Sequence, residues 1–267
     1  MALPLDGVRI LDMTIWQQGT HATALLADLG ADVIKIEGPD NPDPGRGVAL
    51  TSGALNGYFE NHNRGKRAIC IDVKVPEGRA LLLRLARDAD VFTNNMRKGV
   101  LERLGLGYED FRAVNPRLIY AVASGYGNEG PERTLPSMDI MAQARGGTIG
   151  LNGDVDSSPQ PVPAAIADQV GSYFLAHGVL AALFMRERTG EGSRLTPHCS
   201  AARWIFSRTR SRATSSAACC RSAGRGWTRS RSGIPIRGAT GAGSCWACCR
   251  RRAGGRRWRS VWGFRTG

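Results

Sequence analysis

The chain has 267 residues, with 36 Lys+Arg against 23 Asp+Glu and a formal net charge of +13. Its 42% hydrophobic content excludes wholesale disorder, and its 34 glycines follow no collagen-like period. The length is ample for a buried core, in one large domain or two ordinary ones. An evenly spread excess of positive charge would point to nucleic acid or an acidic membrane. The charge is not evenly spread. All 23 acids lie in 1–196 beside 20 of the basic residues, a net of −3, whereas 197–267 carries 16 Arg and no acid. Those last 71 residues also hold six of the seven Cys and five of the six Trp, with no Leu, Lys, Asn, Gln, Met or Tyr.

In chain order, 8–13 is a short β-rich segment, and 22–29 is a helix stopped by Gly30. A second strand at 32–37 closes on Gly38-Pro39. This βαβ unit predicts a parallel pair with a right-handed crossover. A Pro-, Gly- and Asn-rich loop covers 38–47, and a third strand is expected at 68–73. Pro76 opens a helix over 76–88 with Leu81, Leu82 and Leu85 on one face. A strand at 90–93 follows, then helices at 100–104 and 108–114, then a strand at 118–122 ending in the turn Gly125-Tyr126-Gly127. Residues 164–168 lead into an apolar helix over 169–188, closed by Thr189-Gly190-Glu191-Gly192. The sum is an α/β fold, a Rossmann-like open sheet of mostly parallel strands with an irregular C-terminal tail. Ligands of such sheets sit beyond the carboxyl ends of the strands at a switch in strand order. Gln17-Gln18-Gly19-Thr20 is no dinucleotide glycine pattern, so NAD is not expected.

Two domains follow: 1–196, which carries the fold, and 197–267, an anomalous Arg/Cys/Trp-rich tail. The tail has three readings. Ser207-Arg208-Thr209-Arg210-Ser211-Arg212 would suit an arm that neutralises phosphates. Cys245-x-x-Cys248 with Cys219-Cys220 hints at a metal module, but no second Cys-x-x-Cys exists and His198 follows no ligand pattern. No metal is therefore expected. The third reading is a shifted frame of a GC-rich gene, which yields Arg, Ala, Gly, Ser, Cys and Trp while losing Leu, Lys and the acids. We adopt the third; nucleic acid is then not the expected partner, and the tail should be disordered or poorly packed. Outside the tail only Cys70 remains, the usage of a reducing cytoplasm. Asp6 and Arg9 interrupt any signal-peptide pattern, and the longest apolar stretch, 170–185, is broken by Ser172 and His177 and too short to span a bilayer. A soluble cytoplasmic protein without a membrane partner is expected.

Several ordered motifs carry a resemblance. They are Pro4-Leu5-Asp6-Gly7-Val8-Arg9-Ile10-Leu11-Asp12, Leu29-Gly30-Ala31-Asp32-Val33-Ile34-Lys35-Ile36-Glu37 and Asn63-Arg64-Gly65-Lys66-Arg67. Asp72-Val73-Lys74, the segment 94–105, Ser124-Gly125-Tyr126-Gly127, Met138-Asp139 with Ala142-Gln143, Ala167-Asp168 and Arg188-Thr189-Gly190-Glu191-Gly192 follow in order. Over residues 4 to about 194 the chain resembles the family III CoA-transferases, the group of formyl-CoA transferase and carnitine CoA-transferase.

The resemblance implies a Rossmann-like large domain and an acyl-CoA:carboxylate CoA-transferase, whose partners are acyl-CoA and a small carboxylic acid. Coenzyme A enters as the thioester substrate, and no metal or NAD is required. It places the nucleophile at Asp168, which would form a mixed anhydride and then an enzyme–CoA thioester. Without the resemblance, Asp168 reads as an N-cap of the following helix, whose amides could also steady an anionic intermediate. Gln17 matches a position near CoA. The segment of Asp72, Val73, Lys74 and Val75 matches a CoA-contacting stretch, as do Asn95, Met96, Arg97 and Lys98. Arg103 resembles a residue pairing with a CoA phosphate. Met138 and Asp139 belong to a segment lining the active site. The related 2-methylacyl-CoA racemases are the alternative, but they carry a His where this chain has Met138, which transfers no proton. Intact family members form interlocked homodimers, and nothing in 197–267 matches their small domain, so activity and dimerisation of this chain stand in question. The frame-shift hypothesis predicts that the gene, read in another frame after codon 196, resumes the family pattern. Resequencing that reveals no shift of frame at this point would overturn it.

Overall fold

The central strands are apolar on both faces, so the sheet needs cover on both sides. In the computed structural model, which describes residues 2–48, 56–149, 152, 158 and 160–199, that cover is helical. Beyond 199, only the backbone of a two-stranded antiparallel pair, Thr228–Arg229 and Pro235–Ile236, is described. The expectation of an irregular tail otherwise falls outside the described residues.

Six strands form one sheet: β1 (Arg9–Met13), β2 (Asp32–Glu37), β3 (Arg67–Cys70), β4 (Val91–Asn94), β5 (Ile119–Val122) and β6 (Arg194–Leu195). Their order is β3-β2-β1-β4-β5-β6, and every pairing is parallel. Successive residues feed opposite cores. Ile10, Val91 and Ile119 pack with α1 (Gln18–Asp28) and α7 (Ile166–Thr189). Their neighbours Leu11, Phe92 and Tyr120 pack with α3 (Pro76–Ala86) and α5 (Tyr108–Val114). The open parallel α/β sheet is the one the sequence predicts. Its strand order reverses between β1 and β4, and the crevice that such a reversal opens lies at their carboxyl ends.

Element boundaries depart from the sequence pattern where burial overrides propensity. Helix α1 starts at Gln18, four residues early, although Gly19, Thr20 and His21 are poor helix formers. All three are buried, and a side chain on Gly19 would collide with Thr14. Helix α7 begins at Ile166, three residues early, and packs closely on α1. A Cβ on Gly171 would lie 2.8 Å from Gln18 Nε2, and Ser172 Oγ donates to the Gln18 carbonyl at 2.7 Å. Strand β3 ends at Cys70; Ile71 N still donates to the Glu37 carbonyl at 2.8 Å, and Asp72 and Val73 leave the sheet. Helix α2 (Gly57–Asn63) and the short β6 have too little periodicity to be seen in sequence; α2 is started by Asn56, whose Oδ1 accepts from Phe59 N. The first three residues of the predicted tail continue along β5. Ser124 N donates to the Pro197 carbonyl at 3.1 Å, Cys199 N donates to the Ser124 carbonyl at 2.9 Å, and Cys199 is buried. Among the described residues, no helix is long and apolar enough to cross a membrane.

Two buried ion pairs lie at the carboxyl ends of β1 and β2. Asp12 accepts from Thr14 N and Oγ1, from Thr23 and Thr93 hydroxyls, and from Lys66 Nζ at 2.9 Å. Burial works against its charge, but Lys66, Lys35 and the Thr14 hydroxyl hold its carboxyl below the usual range. Lys35 Nζ donates to Asp43 Oδ2 and to the Thr14 carbonyl, each at 2.9 Å. Removing one partner of such a pair would strand the other charge, which costs about 3–5 kcal/mol.

Candidate active site

The loops after β1, β4 and β5, the segment 133–140 and the first turn of α7 enclose a cleft of about 950 Å³. It opens at the carboxyl ends of the central strands, where the strand order reverses. Trp16 on its rim has φ of +63° and is 46% exposed; its amide donates to Asp43 Oδ1 at 2.9 Å, holding the loop in that left-handed turn.

Asp168 faces this cleft from the third residue of α7. It is not the N-cap that the sequence pattern suggested. That position falls to Ala165, whose φ of +48° follows a φ of +68° at Ala164, two unusual conformations in a row. The capping is done by Asp139, the first residue of α6 (Asp139–Gly146): its Oδ1 accepts from Ala167 N at 2.7 Å and Asp168 N at 3.2 Å. These two amides are therefore engaged and not free to receive an anionic intermediate. Cys199 Sγ donates to Asp168 Oδ1 at 3.1 Å. Burial, reinforced by the charge of Asp139 and opposed by the Cys199 hydrogen bond, pushes the Asp168 carboxyl up to about 6. Burial and then Asp168 push the Cys199 thiol well above its usual range, so at neutral pH it is a donor and not a thiolate.

Of the other sequence-predicted residues, Gln17, Asn95, Met96, Arg97, Lys98, Met138 and Asp139 also line the cleft. They differ in what they have free. Asn95 spends its amide on the β1–α1 loop, accepting from Ile15 N at 3.0 Å and donating to the Ile15 carbonyl at 2.7 Å. Lys98 Nζ reaches the Asn128 carbonyl at 3.0 Å, whereas Arg97 is exposed. Met138 is 70% exposed and precedes α6. Asp72, Val73, Lys74, Val75 and Arg103 do not line the cleft. The first four form the turn from β3 to α3, where Asp72 Oδ1 accepts from Lys74 N at 2.9 Å, and Arg103 is an exposed residue ending α4 (Val100–Arg103).

Three residues had no functional assignment from sequence. Tyr58 of α2 lines the cleft, and burial, Asp43 and Asp168 push its hydroxyl up to about 12. Nothing in its surroundings in sequence marked it. Cys199 was one of six cysteines in a segment of odd composition. Gln143 of α6 stood only as part of a motif; in the fold it is buried and donates to Asp139 Oδ2 at 2.6 Å.

Residues 5–213 match the profile of "CoA-transferase family III". The match runs past residue 196, farther than the motifs legible in the sequence. The chain is 40% identical over 193 residues to the acetyl-CoA:oxalate CoA-transferase of Acetobacter aceti, covering 72% of this chain and 50% of that protein. It is 37% identical over 199 residues to the succinate–glutarate CoA-transferase of Agrobacterium fabrum, again covering 72% and 50%. A solved CAIB/BAIF family protein from Brucella suis is 38% identical with a TM-score of 0.69, over 73% of this chain and 52% of that one. Rv3272 from Mycobacterium tuberculosis is 35% identical with a TM-score of 0.73, over 78% and 59%. The chain thus spans about half the length of the curated relatives it matches.

The raised Asp168 pKa has a thermodynamic consequence. An unfolded Asp ionises near 3.8, but the folded one holds its proton to about 6, so ionising it detracts from stability as pH rises between those values. Asp168→Asn keeps the shape and the acceptor for Cys199. It is expected to stabilise the fold at pH 7 by on the order of 1–3 kcal/mol and to change it little near pH 4. Urea midpoints at the two pH values check this; a destabilised variant at pH 7 would contradict it.

Proposed function

This chain belongs to CoA-transferase family III, and from that premise we propose that it is the Rossmann-like part of an acyl-CoA:carboxylate CoA-transferase with Asp168 as nucleophile. The observation that carries the proposal is a carboxylate set in a wide cleft at the strand-order reversal, with its basicity raised by burial. A carboxylate held near pH 6 is ionised at neutral pH and more basic than a solvated one. Its Oδ1 takes the Cys199 hydrogen bond, so Oδ2 is the oxygen left to react.

In this reading, Asp168 Oδ2 attacks the thioester carbonyl of acyl-CoA, giving a mixed anhydride and CoA thiolate. The thiolate attacks the aspartyl carbonyl, releasing the first carboxylic acid and leaving an enzyme–CoA thioester. An incoming carboxylate attacks that thioester, forming a second anhydride and freeing the thiolate. The thiolate then attacks the acyl carbonyl, which regenerates Asp168 and releases the new acyl-CoA. Each step exchanges one activated acyl bond for another, so no nucleotide hydrolysis is needed.

Arg97 at the cleft supplies an exposed cation for a phosphate, and the turn 72–75 lies at the carboxyl end of β3. Three strand spacings separate β3 from β4, roughly 14 Å, a span that an extended CoA can bridge. Met138, at the position that distinguishes the racemases, offers no proton, which favours transfer over racemisation. The acceptor is taken to be a small carboxylic acid, the class named for the curated relatives. The 16 arginines of 197–267 are assigned to a shifted frame and not to nucleic-acid binding.

Asp168→Ala is expected to lower acyl transfer by about 10³-fold or more. Because the reacting species is the carboxylate, log(kcat/KM) should rise with pH below about 6 and level off above it. Unaltered turnover in Asp168→Ala, or a profile flat through pH 6, would remove Asp168 from the mechanism.

A further inference from the structure

The first helical amides of α7 have no partners within the helix; the first intrahelical bond at this end runs from Gln169 N to the Ala165 carbonyl. Ala167 N and Asp168 N are instead satisfied by Asp139 Oδ1, a carboxylate belonging to a different helix. The other oxygen, Oδ2, accepts from Gln143 Nε2 at 2.6 Å, one turn along α6. Gln143 is 2% exposed and uses both ends of its amide. Nε2 also donates to the Val162 carbonyl at 3.0 Å, and Oε1 accepts from Val162 N at 2.8 Å. Val162 lies just before Ala164 and Ala165, the two left-handed residues through which the chain turns into α7. Without a fixed anchor on each side, two consecutive left-handed alanines would relax to commoner conformations. The anchor before them is Gln143, and the anchor after them is Asp139.

We infer that Gln143 is a positioning residue for Asp168: it clamps Val162 and Asp139 together, so that the turn into α7 keeps the nucleophile half-buried at the cleft. Gln143 itself does not line the cleft and touches no reacting atom. Its effect passes through Asp139, whose carboxylate fixes the α7 backbone and whose charge opposes ionisation of Asp168. Glutamine is suited to this place because it donates to a carboxylate and to a carbonyl while accepting from an amide. Glutamate lacks the donor, and methionine fills the space with neither. The groups facing Asp168 from neighbouring elements are Asp139 of α6, Cys199 beyond β6 and Tyr58 of α2. Of these, only Asp139 has a hydrogen bond to Gln143. The catalytic consequence rests on the proposed nucleophilic role of Asp168, whereas the clamp itself does not.

The test uses the full chain with Gln143→Met, which removes both amide functions, and Gln143→Glu, which retains the acceptor for Val162 but sets a carboxylate against Asp139. Hydrogen exchange should show the amides of Ala167 and Asp168 losing protection at least ~10-fold in both variants, with β1 and β4 amides unchanged. In Gln143→Met, which adds no charge, the Asp168 carboxyl, followed by carbon NMR and assigned with Asp168→Asn, should fall from about 6 toward the ordinary carboxylate range. With acyl-CoA as donor, kcat should drop by about 100-fold at unchanged KM, the signature of a misplaced nucleophile. A folded Gln143→Met that keeps both amides protected and its Asp168 midpoint near 6 would overturn the inference. Retained turnover in Asp168→Asn would overturn the nucleophile instead, with the exchange result still judging the clamp.

Discussion

The structure turns on one buried carboxylate that does no chemistry. Asp12 is the penultimate residue of β1, where the sheet reverses its strand order, and hydroxyls, an amide and an ammonium from four different segments converge on it. Thr23 brings α1 to it, Thr93 brings β4, Thr14 brings the β1–α1 turn and Lys66 the approach to β3. A charge without water is tolerated only when its oxygens are filled in this way, so the surrounding geometry has little freedom. Helix α1 is thereby fixed against the sheet, and α7 is fixed against α1 through Gly171 and Ser172. Asp168 sits one helical turn ahead of that contact, in the first turn of α7. The placement of the candidate nucleophile is therefore set by burial elsewhere as much as by its own neighbours.

Two acids near one another at the mouth of α7 have opposite environments. Asp139 accepts two backbone amides and a glutamine amide, which occupy both of its oxygens. Asp168 has a weak thiol donor and a buried setting, which favours its neutral form and raises its basicity. One acid serves as a fixed acceptor that shapes the backbone, and the other is the poised group. Separating two like side chains by environment is a general way of assigning them different tasks.

Much of this fold was legible because parallel strands buried on both faces leave dense apolar runs, and because Pro76, Gly30 and Gly190 mark helix ends. The early starts of α1 and α7 were not, since Gly19, Thr20 and His21 become helical only through tertiary burial. The site was legible as a set of motif positions: Asp168, Gln17, Asn95 and Asp139 gather at one cleft, although they lie far apart in the chain. Sequence could not show that Asp139 caps a helix to which it does not belong, or that Asn95 is consumed by Ile15. It could not show that Cys199 would reach Asp168, because that contact spans 31 positions and enters a segment of foreign composition. Hydrogen bonds between distant elements leave no periodic trace.

The excess positive charge lies in 197–267, from which, among the described residues, Cys199 lines the cleft. The whole six-stranded sheet, and most of the family match and of the cleft lining, lie in the part of the chain that holds every acidic residue, with the match running on to 213 and the lining to Cys199. The most direct measurement is chemical trapping. The protein is incubated with acyl-CoA and quenched with hydroxylamine, and its peptides are mapped by mass spectrometry. An aspartyl anhydride or thioester predicts a hydroxamate on Asp168 that requires acyl-CoA. Turnover of acyl-CoA with Asp168 unmodified, or with the hydroxamate on another carboxylate, would contradict the account.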